Sequence, residues 1–258
     1  MILFYAAIII FKLLATSPVI AKQINFAAVH YPPYYNEEDR VNHGFLGQLV
    51  SDILKAEGMS VKFTFRAFSR VLIDVKEGAF DMTTVGASGD NSGLHITKPF
   101  FNAVAVLFST KKRFPNGIVF NKLTDLKNKS LATILGTPLK KKLQDAGFRL
   151  ILQKDQSNMV RMLKNGRVDF YQAVDITGLH YIRSTYPSSQ GDFIRSKPIN
   201  IEPISIGVSK KIDPDKKIFN RVERGIKRIY ENGRLLEILK GYYGDHIPSE
   251  VLAKSLGQ

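Results

Sequence analysis

The chain has no cysteine in its 258 residues, which excludes thiol catalysis and any thiolate metal site and is compatible with an oxidising compartment. Histidine is sparse. The five present, His30, His43, His95, His180 and His246, show no His-Glu-x-x-His or comparable spacing, so no metal or other cofactor is expected. There is no Gly-x-Ser-x-Gly elbow for a serine nucleophile, and Gly86-Ala87-Ser88-Gly89 does not make a phosphate loop. Acidic residues are outnumbered, 23 Asp and Glu against 37 Lys and Arg, for a formal net charge of +14. A basic balance suggests nucleic acid, anionic membrane or acidic ligands. Here the basic residues are dispersed. The densest groups, Lys111-Lys112-Arg113 and Lys140-Lys141-Lys142, fall in a connector and on a helix face, without the interleaved aromatics of a nucleic-acid platform. The charge therefore reads as a basic surface, with no nucleic-acid partner.

Long apolar runs are also lacking, with one exception. Residues 1–20 are apolar apart from Lys12, Thr16, Ser17 and Pro18, and lead through Ala21 into the polar Lys22-Gln23. An apolar core, a breaker and a small residue are the parts of a secretory signal. About 20 clean apolar residues are needed to span a bilayer, and the Thr-Ser-Pro interruption shortens this run. No basic residue precedes the core. The expectation is a signal peptide at 1–21 cleaved after Ala21, with an uncleaved anchor as the alternative.

The rest of the chain alternates strand and helix patterns. Residues 24–29 read as a short buried strand. His30-Tyr31-Pro32-Pro33-Tyr34-Tyr35 cannot be helix or central strand, because two prolines fix φ and remove donors. Leu46, Leu49, Val50, Ile53 and Leu54 recur at the spacing of one buried helical face, stopped by Gly58. Val61, Phe63 and Phe65 alternate with Lys62, Thr64 and Arg66 as a half-buried strand. A helix over 69–77 follows, capped by Ser69 and stopped by Gly78. Further strands are expected at 80–85, 103–109, 131–134, 148–152 and 168–174. Asp213 as N-cap and Pro214 in the first turn open a long helix buried through Ile218, Phe219, Val222, Ile226 and Ile229. Such alternation predicts an α/β protein with mostly parallel sheets.

One stretch is echoed 88 residues later. Ser69, the apolar positions after it, Gly78 and Asp81 correspond to Ser157, Gly166 and Asp169 at identical spacing. Each copy reads as a capped amphipathic helix, a left-handed turn and entry into a strand. The matched spacing argues for two lobes of like construction.

The ordered motifs resemble those of extracellular solute-binding proteins that serve polar amino acid importers (family 3). They comprise Tyr31-Pro32-Pro33-Tyr34, Gly44-Phe45-Leu46-Gly47-Gln48-Leu49, Glu77-Gly78-Ala79-Phe80-Asp81, Pro99-Phe100-Phe101, Leu135-Gly136-Thr137, Asn165-Gly166-Arg167-Val168-Asp169 and Gly241-Tyr242-Tyr243-Gly244. Together they extend over nearly all of 24–244. The resemblance implies a two-lobed, type II periplasmic-binding-protein-like fold. Each lobe would be a mostly parallel sheet flanked by helices, with crossing strands at 103–109 and 203–208. Lobe 1 would comprise 22–109 plus 204–258 and lobe 2 would comprise 110–203, closing about a hinge. The implied function is non-catalytic capture of a small polar molecule in the periplasm, as a monomer, for an ABC-type importer with a membrane permease as partner. Two alternatives stay open: a ligand-sensing module reporting to a membrane receptor, and a dehydratase-like enzyme using Asp90 or Asp175 as acid or base.

The resemblance also implies where the ligand sits. Tyr31 and Phe68 match positions at which the family sets aromatic rings against it, suited to an apolar stem or a cation. Ser88 and Gly89 match hydroxyl and backbone donors. Family members that bind amino acids then carry an Arg that clamps the ligand carboxylate, and Gly93 stands there instead, with Asp90 adding an acceptor nearby. Thr137 reads as the cap of a helix beginning at Pro138, whose free amides would favour an anion. The family's amine-binding Asp falls at Val174, one residue short of Asp175. Arg70 would lie at the cleft mouth. These departures predict that standard α-amino acids are not bound in the family's usual mode.

Overall fold

The computed structural model describes residues 22–245 and 247–252. The expected signal segment and its cleavage point lie outside the described residues, as does His246. Among the described residues no helix is long and apolar enough to cross a membrane.

The first half is built as the hydrophobic spacing dictates. Strands β1 (Lys22–Ala28) and β2 (Met59–Phe65) pair in parallel around helix α1 (Gly44–Lys55). Helix α1 buries Phe45, Leu46, Leu49, Val50, Ile53 and Leu54, each contributing about 1.5–3 kcal/mol of transfer free energy. It has no side-chain cap. Its leading amides are taken by the preceding loop, where Phe45 N–H donates to the Pro33 carbonyl and Leu46 N–H to the Tyr34 carbonyl, each at 2.7 Å. Gly58, at φ +67, turns the chain after the helix.

Helix α2 (Phe68–Lys76), strands β3 (Met82–Gly86) and β4 (Leu94–Ile96), and the long strand β5 (Phe101–Thr110) complete this half and lead into the next. There, β6 (Ser130–Ile134), α3 (Lys140–Asp145), β7 (Arg149–Gln153), α4 (Gln156–Lys164), β8 (Phe170–Val174), α5 (Asp175–Thr185) and β9 (Phe193–Arg195) follow in order. Strand β10 (Asn200–Ser209) returns the chain, and α6 (Lys217–Glu231) and α7 (Arg234–Tyr243) close it.

The ten strands of the described residues form one sheet, eight along the path β2-β1-β3-β10-β5-β8-β6-β7, with β4 paired to β10 and β9 to β5 off it. The two ends mirror one another: β1 lies between β2 and β3 in parallel, and β6 lies between β7 and β8 in parallel. Between them β5 and β10 run antiparallel, with Asn200 opposite Ala105 and Ile204 opposite Phe101. Each also pairs into a flanking set, β10 with β3 and β5 with β8. The expected crossings at 103–109 and 203–208 are thus the middle of longer strands.

The echo is structural down to its carboxylates. Asp81 Oδ2 accepts from Asn25 N–H of β1 at 2.7 Å, and Asp169 Oδ2 accepts from Ser130 N–H of β6 at 2.8 Å. In each case the aspartate N–H returns a bond to the carbonyl of that same residue. Gly78 and Gly166 both hold positive φ between helix and strand.

Helix starts are where the sequence reading needs correction. Ser69 and Ser157 lie inside their helices. The N-cap positions are Ala67, with no side-chain cap, and Asp155, which accepts from Asn158 N–H at 3.0 Å. Thr137 does not cap a helix starting at Pro138 either. Helix α3 begins at Lys140, with Leu139 at its uncapped N-cap position. Asp213 serves α6 at longer range than an N-cap. Its oxygens accept from Ile218 and Phe219 N–H at 3.0 and 2.8 Å, while Lys216 occupies the N-cap position and Pro214 stays outside the helix. The chain there makes an extra turn before the helix, which residue identity alone does not encode.

Candidate ligand-binding cleft

The carboxyl ends of the parallel strands, where ligands sit in open α/β sheets, face each other across the crossing strands. From β1 comes a tight turn in which Tyr31 and Tyr35 exchange backbone bonds of 2.9 and 3.2 Å. It carries the Tyr31 ring, stacked on Tyr34 with centroids 6.0 Å apart, to the other half of the molecule. There the Tyr31 hydroxyl comes near Thr177 of α5 and Gln156 of α4, and Thr177 Oγ1 is buried without a hydrogen bond. Burial pushes its pKa up to about 12, only partly offset by these two neighbours. Gln156 Oε1 also accepts from the Tyr171 hydroxyl at 2.5 Å.

Asp175 is the first residue of α5 and is fully buried. Its Oδ1 accepts from the Tyr243 hydroxyl of α7 and from Ile176 N–H, both at 2.7 Å, and its Oδ2 faces Arg195 Nη1 at 3.3 Å. Burial raises its pKa, against the lowering by Tyr243, the Ile176 amide and Arg195. Hydrogen bonds join the halves here, from the Tyr243 hydroxyl to Asp175 and from Arg183 Nη1 to the Tyr242 carbonyl at 3.4 Å, with Tyr31 packed beside them. Beside them a cavity of about 470 Å³ opens between Pro33, Asp39 and Tyr242 on one side and Ile176, His180 and Arg183 on the other. Burial, and then Arg183, lower the His180 pKa.

The other expected positions are placed differently. Phe68, at the start of α2, is 77% exposed. Ser88, at the exit of β3, gives both its donors to one oxygen: its N–H and its hydroxyl reach Glu202 Oε1 of β10 at 2.7 and 2.9 Å. Asp90 turns away toward α2, pairing with Lys76 Nζ at 2.7 Å and accepting from Ser92 N–H at 3.0 Å. The hydrogen bond from Lys76 is the main reason its pKa falls far below the ordinary carboxylate range. Gly93 follows the same path, near Lys76 and with its carbonyl bonded to Lys210 N–H. Arg70 is held by Asp74, one turn along its own helix, at 2.9 Å. Thr137 is buried in the turn before α3, where its hydroxyl oxygen accepts from Leu139 N–H at 3.3 Å.

Of the six candidates, Tyr31 and Asp175 thus meet across the halves through their partners, and Ser88 reaches a crossing strand. Glu202, Gln156, Thr177 and Tyr243 escaped the sequence reading. Only Tyr243 left a trace there, within Gly241-Tyr242-Tyr243-Gly244.

No family model matches the chain, and no curated protein matches it in sequence. Solved structures match it in fold. A histidine kinase sensor domain with similarity to periplasmic binding proteins superimposes with a TM-score of 0.66 at 19% identity, covering 87% of this chain and 96% of that one. An ancestral arginine-binding protein bound to arginine gives 0.66 at 20%, covering 86% and 98%. An ancestral amino acid-binding protein, a precursor of cyclohexadienyl dehydratase, gives 0.66 at 15%, covering 86% and 95%. The shared feature is the two-lobed architecture of type II periplasmic binding proteins.

Proposed function

We propose that this protein captures a small polar molecule between its lobes without transforming it, as an exported binding protein delivering to an ABC-type importer. We take lobe 1 as 22–109 plus 204–258 and lobe 2 as 110–203. The observation that carries the reading is a cavity lined from both lobes and bridged by Tyr243 to Asp175 and Arg183 to Tyr242, beside crossing strands that supply a hinge. Side chains from both lobes converge at one place, so a ligand held there would favour closure. The basic, cysteine-free composition suits an envelope protein, and the arginine-bound neighbour is a binding protein of this fold. A sensing role is the second reading, favoured by the likeness to a kinase sensor domain. Capture of a membrane permease or of a receptor by the full chain separates the two.

The test is a thermal-shift screen of amino acids, amines, organic acids and small peptides. A ligand at 100 times its Kd stabilises the native state by about 2.7 kcal/mol, and each kcal/mol raises Tm by about 2–4 °C at this size. A specific rise of about 5–10 °C without product formation is expected. Turnover of the stabilising compound would overturn the non-catalytic reading.

A further inference from the structure

Strand β10 carries a carboxylate that ligand capture as such does not require. Glu202 lies opposite Ala103 of β5 and two residues from Asn200, so both side chains leave one face of the strand. That face is met from both lobes. Lys142 Nζ of α3 reaches Asn200 Oδ1 at 3.0 Å and the Ile199 carbonyl at 2.8 Å. From the exit of β3, Ser88 reaches Glu202 Oε1 through its N–H and its hydroxyl. Glu202 therefore stands on a face of the crossing strand that residues of both lobes approach. Gly86 keeps room for it, since a Cβ there would stand 2.7 Å from Oε1.

Two consequences follow from this placement. The N–H and hydroxyl donors of Ser88, at the exit of β3, are occupied by a carboxylate of the chain itself, which would repel a second one beside it. The second oxygen, Glu202 Oε2, makes no hydrogen bond or ion pair among the described residues, and so remains available to a positive charge. We propose that Glu202 is a specificity-determining residue that makes the cleft take a cationic ligand lacking a carboxylate, an amine or a guanidinium compound, and reject anionic groups. The inference deepens the capture reading and rests on it. Like charges brought together at a binding surface suppress the wrong partner, and opposite ones select the right one.

The test uses matched pairs that differ only by a carboxylate: agmatine and arginine, cadaverine and lysine, histamine and histidine, tyramine and tyrosine. Each is titrated calorimetrically into the full chain and into Glu202→Gln. The glutamine oxygen still accepts from Ser88, so the loop keeps its support while the charge is lost. In every pair that binds, the amine should bind at least tenfold tighter than its parent amino acid. Glu202→Gln should weaken the amine at least tenfold and bring the two members within about threefold of each other. An amino acid binding the unaltered protein as tightly as its amine overturns the inference alone, as does a Glu202→Gln protein that keeps the original ratio. Because the first comparison needs no variant, it decides even if Glu202→Gln does not fold. No binding of any amine at millimolar concentration overturns the inference, while the capture reading stands or falls with the wider thermal-shift screen.

Discussion

Asp169 and Asp175 sit six residues apart, both buried, and their surroundings treat the negative charge in opposite ways. Burial alone would raise the pKa of Asp169, but the Ser130 N–H and hydroxyl, with the Arg113 guanidinium, outweigh it and hold the pKa down. The stability it contributes is present above the ordinary carboxylate pKa and is lost as pH falls through the lowered value. Asp169→Asn should cost about 1–3 kcal/mol at neutral pH, because hydrogen bonds to a charged acceptor become neutral ones. Arg113 is largely exposed and adds little through screened charge. Asp175 has the reverse sign. With its pKa raised, the folded chain keeps a proton that the unfolded chain has released, so stability declines as pH rises from the ordinary carboxylate value through the raised one. Asp175→Asn should gain on the unaltered protein as pH rises over that interval, whereas the deficit of Asp169→Asn should shrink as pH falls below the ordinary carboxylate value. Urea midpoints measured from about pH 3 to about pH 8 check both, and parallel curves for the two variants would refute the assignment.

Helix starts and helix seats discriminate further. Asp155→Ala removes the one side-chain cap of α4 and should cost about 0.5–2 kcal/mol, whereas Ser157→Ala, inside the first turn, should stay within about 0.5 kcal/mol. Equal losses in chemical denaturation would mean that the cap lies at Ser157 after all. Helix α5, which presents Asp175 and Thr177, rests on β5 at Gly178. A Cβ there would stand 2.0 Å from Phe108 Cε2. Gly178→Ala should therefore destabilise by about 1–3 kcal/mol through overpacking, even though alanine gains about 1 kcal/mol in helix propensity. A stabilised variant, judged by its melting temperature, would show that the helix can shift on its strand.

At the scale of the molecule, one apolar cluster runs through both lobes, and polar side chains bridge them beside the cavity. Tyr243→Phe deletes the hydroxyl that reaches Asp175 at 2.7 Å, a hydrogen bond to a carboxyl of about 1–3 kcal/mol. That is a tenfold to hundredfold shift between closed and open forms. Small-angle scattering should then show a larger radius of gyration than the unaltered protein has, and Tyr31→Ala should act in the same direction. An unchanged radius in both variants would mean that the lobes are held by the crossing strands alone.

Much of this architecture could be read from residue order. Period-two and period-3.6 apolar spacing placed β2, α1 and the stripe of α6, because burial of one face depends only on local geometry. The 88-residue echo located two like units, since helix, glycine turn and strand-entry aspartate are all short-range devices. Caps were less legible, because Ala67, Leu139 and Lys216 hold N-cap positions without capping chemistry and the loops supply acceptors from a distance. The cleft was legible only where one loop defines it, as at Tyr31. Whether Ser88 faces a ligand or Glu202 depends on strands 114 residues apart in sequence. Whether Asp175 meets an amine or Tyr243 depends on α7 returning to α5 across 68 residues. Local spacing determined the elements and their pairing into halves. Only the tertiary structure decided which charges meet between them, because a carboxylate's partner is set by proximity in space, which the crossing strands impose and the order of residues does not.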